Sequence, residues 1–164
     1  MTGRWDVTKG EQDPATVARL LGLLPTWFGI EASNVAYIEA ARRLPTYLAR
    51  PAGPTGAGAG EPVGVLLADR HFPQSAEIHL LAVDPRLHRA GAGRALVGAL
   101  EADLVADGCE LLQVKTLGPS HPDAGYALTR KFYLSMGFAP VEELIDFWGP
   151  QNPCLIMVKA LAQS

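Results

Sequence analysis

Two ionisable side chains stand at i and i+2 in Ala76-Glu77-Ile78-His79, inside an apolar run that continues through Leu80, Leu81, Ala82 and Val83. In a strand that spacing puts both on one face. A histidine titrates near neutrality, and a neighbouring carboxylate can raise its proton affinity. Glu77 and His79 are therefore candidates for a base, acting directly or through a water. The alternative is structural: Glu77 marking the wet end of a strand, His79 a hydrogen-bonded sheet residue. Just downstream, His88-Arg89-Ala90-Gly91-Ala92-Gly93-Arg94 leads into Leu96, Val97, Leu100, Leu104 and Val105 at helical spacing, with Gly108 where a C-cap glycine belongs. The order is strand, glycine loop, helix. A helix start carries unpaired N–H groups and the positive end of the dipole, and glycines let an anion reach that backbone. Arg89 and Arg94 add positive charge on either side.

Two nucleotide-binding patterns fit this loop poorly. A P-loop ends in Gly-Lys-Ser/Thr, whereas Gly93 is followed by Arg94-Ala95. A dinucleotide fingerprint needs a third glycine where Leu96 stands, and the acidic residue expected after the next strand is replaced by Gln113-Val114-Lys115. A third pattern fits better. Val83-Asp84-Pro85 through Leu96 resembles the acetyl-CoA loop of the GNAT superfamily of N-acetyltransferases, Gln/Arg-x-x-Gly-x-Gly/Ala, with His88 in the Gln/Arg slot. Arg130-Lys131-Phe132-Tyr133-Leu134-Ser135-Met136-Gly137-Phe138 is similar to the family's Phe-Tyr-x-x-x-Gly-Phe near helix four. The resemblance covers roughly residues 60 to 160.

That resemblance implies an α/β (α+β) fold, a mixed and mostly antiparallel sheet of about six to seven strands flanked by four helices. It implies acetyl-CoA as acetyl donor, held by Leu81, Ala82, Val83, His88, Arg89, Ala90, Gly91, Ala92, Gly93, Arg94, Tyr126 and Arg130. An inner strand amide, Leu81 or Ala82, would polarise the thioester carbonyl. Tyr133 would give a proton to the leaving thiolate; the structural alternative is that Phe132 and Tyr133 simply pack. Tyr126 and Thr129 stand where the family often has Asn and Ala, a departure on the pantetheine side. Glu77 matches the catalytic glutamate of histone-acetylating members, and His79 one histidine of the arylalkylamine acetyltransferases. The implied activity is direct acetyl transfer to a primary amine, without a covalent enzyme intermediate. The alternatives are an acyl-CoA-binding sensor domain with little turnover and a protein or peptide N-acetyltransferase. In the family the acceptor is walled by segments that here contain Trp27, Phe28, Tyr37 and Glu39, and Glu142, Glu143, Asp146, Phe147 and Trp148. Carboxylates among aromatic rings suit a small cationic amine.

Composition agrees with a single domain spanning residues 1–164. Apolar content of 48% and charged content of 19% are those of an ordinary globular chain with a real core. A formal charge of −3 argues against nucleic acid or an acidic membrane as main partner. With no signal-peptide h-region and no long apolar run, a cytoplasmic protein is expected. The expected partners are acetyl-CoA and a small-molecule amine, and a homodimer stays open. The four histidines lack clustered spacing, so no metal is expected. Cys109 and Cys154 read as buried thiols rather than a bridge.

The elements that must position these groups follow in order. Arg4 to Thr8 reads as a strand, and Asp13-Pro14 as the start of a helix through Val17, Leu20, Leu21 and Leu24. Ser33 or Asn34 is expected to cap a second helix, with Val35, Ile38 and Ala41 on its inner face and Leu44-Pro45 closing it. Thr46 to Ala49 and Val63 to Ala68 read as strands around a low-complexity stretch, Pro51 to Gly60, expected to be a mobile hairpin tip. Arg70 to Ser75 is the next turn. Leu111 to Lys115 reads as a strand, Asp123 as the cap of a helix running to Met136, and Val141 to Phe147 and Cys154 to Val158 as the last two strands. His121 reads as a turn residue before that helix.

Overall fold

A computed structural model describes residues 4–53 and 60–162. Among the described residues, seven strands and four α-helices follow one another: β1 (Trp5–Gly10), α1 (Pro14–Gly22), α2 (Glu31–Ala40), β2 (Thr46–Pro51), β3 (Gly64–Phe72), β4 (Ser75–Val83), α3 (Ala92–Ala106), β5 (Leu111–Leu117), α4 (Ala124–Ser135), β6 (Ala139–Leu144) and β7 (Cys154–Ala160). The strands form one mixed sheet in the order β1-β2-β3-β4-β5-β7-β6. β4 and β5 pair in parallel, from Ser75 opposite Leu111 to Ile78 opposite Val114. The pairs β1–β2, β2–β3, β5–β7 and β6–β7 are antiparallel.

The chain forms two compact units, Met1–Asp69 with His79–Asp103, and Arg70–Ile78 with Leu104–Ser164. In the first, α1 starts where Pro14 sits at its first turn and Asp13 accepts from the Thr16 N–H at 3.0 Å. Its apolar face buries Val17, Leu20 and Leu21 together with Leu24, Ala40, Ala41, Leu44, Leu48, Val65, Leu67, Leu80 and Ala82. Burying a Val or Leu side chain is worth about 1.5–3 kcal/mol, so this cluster contributes substantially to the stability of the unit. α3 lies against Gly64, where an added Cβ would come 3.0 Å from Leu96 Cδ1. Tyr47 donates to Asp103 of the same helix at 2.7 Å. Burial, with help from the Asp103 carboxylate, pushes that phenol well above its ordinary pKa.

The second helix differs from expectation. Ile30, not Ser33 or Asn34, precedes it, and no side chain caps it. The Asn34 N–H already bonds Ile30 O at 3.0 Å, which leaves its side-chain amide to reach back to Phe28 O at 2.8 Å. Val35 is exposed, while Tyr37, Ile38, Ala40 and Ala41 face the core. The hairpin-tip expectation falls on residues 54–59, outside the described residues. β3 runs on to Phe72, so the turn before β4 is tighter than Arg70 to Ser75. β6 ends at Leu144, and residues 145–152 are turn rather than strand.

In the second unit β5 is flanked by β4 and β7, and α4 packs against β5. Asp123 caps α4 by accepting from the Tyr126 N–H at 2.9 Å. Cys109 and Cys154 are both buried thiols outside any disulfide, and burial pushes the Cys154 thiol up from its ordinary pKa.

Candidate active site

In the first unit, β4 delivers the chain into the glycine loop. Asp84, almost fully buried, ends the strand and accepts from the Arg86 N–H at 3.0 Å, starting a single 3-10 turn over Pro85–Leu87. The Arg86 guanidinium on its carboxylate, at 2.6 Å, holds the Asp84 pKa below the ordinary range against the opposing effect of burial. Two residues then enter the left-handed region, Arg89 at φ 65° and Gly91 at φ 99°. The Ala95 N–H bonds Gly91 O at 3.0 Å at the start of α3. The N–H groups of Ala92, Gly93 and Arg94 therefore belong to the first turn, ahead of the intrahelical ladder. Arg89 and Arg94 are exposed on either side of this turn.

The loop is pinned from two directions that its own sequence does not announce. The Trp5 indole on β1 donates to Ala90 O at 2.9 Å, 85 residues away in the chain. An added Cβ on Gly91 would sit 3.3 Å from that indole nitrogen. His88, in the Gln/Arg slot, holds its Nε2 2.9 Å from Val83 O and stands edge-on to Trp27 at 5.3 Å between ring centroids. The carbonyl can only accept, so His88 Nε2 carries the proton. Leu81, Ala82 and Val83 lead into the loop, with Ala82 and Val83 buried and Leu81 partly so. His79, partly buried, faces Tyr37 of α2 edge-on at 5.5 Å, and Tyr37 meets Phe28 at 5.9 Å.

In the second unit, Tyr133 is only 5% exposed, with its ring edge-on to Phe132 and Phe138 at 5.2 and 5.4 Å. The spacing of its motif has a local cause. Gly137, at φ 95°, follows the helix; Phe138 N–H bonds Tyr133 O, and Gly137 N–H bonds Leu134 O, both at 3.0 Å. That is a Schellman ending, in which the residue after the glycine packs on the residue three back from the helix end. Tyr126 is half-buried in the first turn of the helix. Arg130 directs one guanidinium nitrogen to Leu117 O at 2.7 Å, tying the helix to the end of β5. His121 Nδ1 accepts from the Asp123 N–H at 3.2 Å, a turn-building role.

Glu77 is only 7% exposed and carries several contacts. Its Oε1 lies 2.7 Å from His71 Nε2 and accepts from Lys115 Nζ at 3.1 Å and Gln113 Nε2 at 3.4 Å. Its Oε2 accepts from Lys115 Nζ at 3.0 Å. Gln113 is directly opposite Glu77 in the parallel register, and Lys115 lies two residues on, which places all three on one face. His71 and Lys115 were not singled out by sequence reading, although a lysine inside an apolar strand run does signal a partner. Glu143, one of the acceptor-wall candidates, is also engaged. Its two oxygens take the Ser120 hydroxyl at 2.5 Å and the Ser120 N–H at 2.9 Å. Those bonds lower its pKa. A Cβ on Gly118 would overlap the Glu143 carboxylate. Phe147 and Trp148 are exposed neighbours, with Lys115 Nζ 5.7 Å from the Phe147 ring.

Among the described residues, no helix is long and apolar enough to cross a membrane. No protein of curated function matches the sequence. Among solved structures, a GNAT-family protein from Desulfovibrio desulfuricans superposes with a TM-score of 0.79 at 20% identity, over 96% of this chain and 99% of that one. A ribosomal-protein alanine N-acetyltransferase from Escherichia coli gives 0.70 at 17% identity, over 97% and 96%. An aminoglycoside 6′-N-acetyltransferase complexed with coenzyme A gives 0.69 at 18% identity, over 97% and 98%. These likenesses establish the shared fold. The sequence itself matches the acetyltransferase (GNAT) family over residues 23–138, more than half of its length, and the chain belongs to that family.

Proposed function

We propose that the chain is an acetyl-CoA-dependent N-acetyltransferase that moves the acetyl group directly to the primary amine of a small cationic molecule. The observation that carries the donor half is the β4–α3 loop, where Gly91 at φ 99° opens the first turn of α3 beside two exposed arginines. Backbone N–H groups of Ala92, Gly93 and Arg94 would take the pyrophosphate, with Arg89 adding charge. His88 would act by fixing the loop to Val83 rather than by touching phosphate, since its Nε2–H is already directed to that carbonyl. An amide among Leu81, Ala82 and Val83 would polarise the thioester carbonyl as charge develops on its oxygen. Tyr133 would protonate the departing thiolate. Tyr126 and Arg130 would lie along the pantetheine arm.

An alkylamine with a pKa of about 10 arrives almost wholly protonated at neutral pH, so a base is required before attack. The Glu77 and His79 side chains of β4 are the candidates. Acetyl-CoA and the ammonium would then give the acetamide, CoASH and one proton to solvent. For the acceptor, the exposed carboxylates of Glu142 and Asp146 beside the aromatic rings of Phe147 and Trp148 support a cation. Glu143 contributes less to that reading, because Ser120 occupies it. The likeness to proteins named for a ribosomal-protein alanine and for an aminoglycoside is nearly equal, so the acceptor rests on side chains and not on overall fold. The test is thiol release from acetyl-CoA across matched polyamine, aminoglycoside, amino-acid and peptide acceptors. Turnover of cationic small molecules is expected. Turnover confined to glutamate-like or peptide acceptors would overturn the acceptor, and none at all, with acetyl-CoA bound, would leave a binding domain.

A further inference from the structure

We propose that His71, on β3, is the group that takes the proton from the acceptor amine, with Glu77 a positioning residue that acts through it. This rests on the acetyltransfer reading above and names the base within it. Both Glu77 oxygens already accept from protein donors, Lys115 Nζ on each and His71 and Gln113 on Oε1. A proton placed on that carboxylate would have to displace an ammonium or an imidazole donor. His71 has the opposite situation. Its side chain is 43% exposed, against 9% for Glu77. Because a carboxylate can only accept, His71 Nε2 carries its proton toward Glu77, and the neutral ring therefore presents a bare Nδ1 lone pair. A histidine held in one tautomer by a carboxylate, with its second nitrogen bare, is the arrangement in which imidazole serves as a general base.

Titratable groups on the strands beside the His71–Glu77 pair include Lys115 and Cys154. Lys115 faces it from β5, and the buried Cys154 thiol on β7 senses both Lys115 and Glu77. Arg70, next to His71 along β3, is turned to Asp107 at 2.9 Å. Lys115 keeps Glu77 in register, so the imidazolium formed on proton uptake would be stabilised by a fixed carboxylate 2.7 Å away. The proton balance closes. R–NH3+ gives one proton to His71 Nδ1; the neutral amine attacks the thioester carbon and the C–S bond breaks. Tyr133 gives its proton to the thiolate, which leaves as CoASH; the second amine proton restores Tyr133, and His71 returns its proton to solvent.

The test uses the full chain with acetyl-CoA and the best acceptor of the panel. His71→Ala is expected to lower kcat about 10²-fold with acetyl-CoA affinity unchanged, and added imidazole to restore part of the rate. Glu77→Gln, which can still accept from Nε2–H, is expected to lose about tenfold while the pH–rate profile keeps its inflection, displaced. A His71→Ala enzyme within threefold of wild type would overturn the proposal. So would a profile that loses its inflection in Glu77→Gln and keeps it in His71→Ala. A second readout does not need turnover: two-bond proton–nitrogen correlation spectra of the wild-type protein should show His71 as the Nε2–H tautomer, and Glu77→Ala should release that preference. An Nδ1–H tautomer in the wild type would refute the inference by itself. A chain that binds acetyl-CoA, turns over no amine and shows the expected tautomer would instead count against the enzyme reading.

Discussion

Gly91→Ala is the sharpest probe of the loop, and its cost can be worked from two observations. The backbone there has φ 99°, and a left-handed conformation costs a non-glycine residue about 1–2 kcal/mol. The added Cβ would stand 3.3 Å from Trp5 Nε1, closer than comfortable contact, so the indole must shift. That shift endangers its 2.9 Å bond to Ala90 O, a contribution of about 0.5–1.5 kcal/mol. The sum is about 1.5–3.5 kcal/mol, or roughly 3–14 °C in Tm at about 2–4 °C per kcal/mol for a chain of this size. Gly98→Ala is the matched control. It lies within α3, where an added Cβ meets nothing within 4 Å, so it should stabilise by about 0.5–1 kcal/mol. Thermal unfolding followed by circular dichroism measures both. The double variant with Trp5→Phe should cost less than the sum of the singles, since one contact is shared. If Gly91→Ala melts within about 1 °C of wild type, or moves in the same direction as Gly98→Ala, the strained-loop account is wrong.

Three further outcomes are expected. Tyr133→Phe should lower kcat by about 10²–10⁴ with little change in acetyl-CoA affinity by calorimetry, and a variant within threefold of wild type removes the hydroxyl from the reaction. Trp5→Phe keeps the ring but loses the Ala90 bond, so it should cost about 1 kcal/mol in urea unfolding and weaken acetyl-CoA binding; unchanged affinity would separate the β1 anchor from the cofactor loop. Asp84 has a folded pKa below its unfolded value of about 3.9, so it adds stability above that pH which is lost as the pH falls through the folded pKa. Urea unfolding below about pH 4 should therefore show a shallower acid loss in Asp84→Asn than in wild type, and parallel curves would contradict the ion pair.

What the chain order alone determined is what a few neighbouring residues settle. Asp13 and Asp123 cap helices with bonds to residues three ahead, and Gly91 and Gly137 occupy backbone conformations that other residues avoid. The Tyr133–Gly137–Phe138 spacing is itself the geometry of a helix ending. Such contacts close short loops, so residue type and spacing carry them. The partners of the candidate groups were decided elsewhere. Trp5 meets Ala90 across 85 residues, and Lys115 meets Glu77 across 38. Ser120 occupies Glu143 across 23. No local pattern chooses among the many residues that could meet at such separations. The parallel register of β4 on β5 makes the choice for Glu77, because a slip of one residue would turn Gln113 and Lys115 to the other face of the sheet. An ionisable residue in a strand was therefore legible as a candidate base, while the sheet decided that its oxygens are occupied and that the more exposed partner is His71.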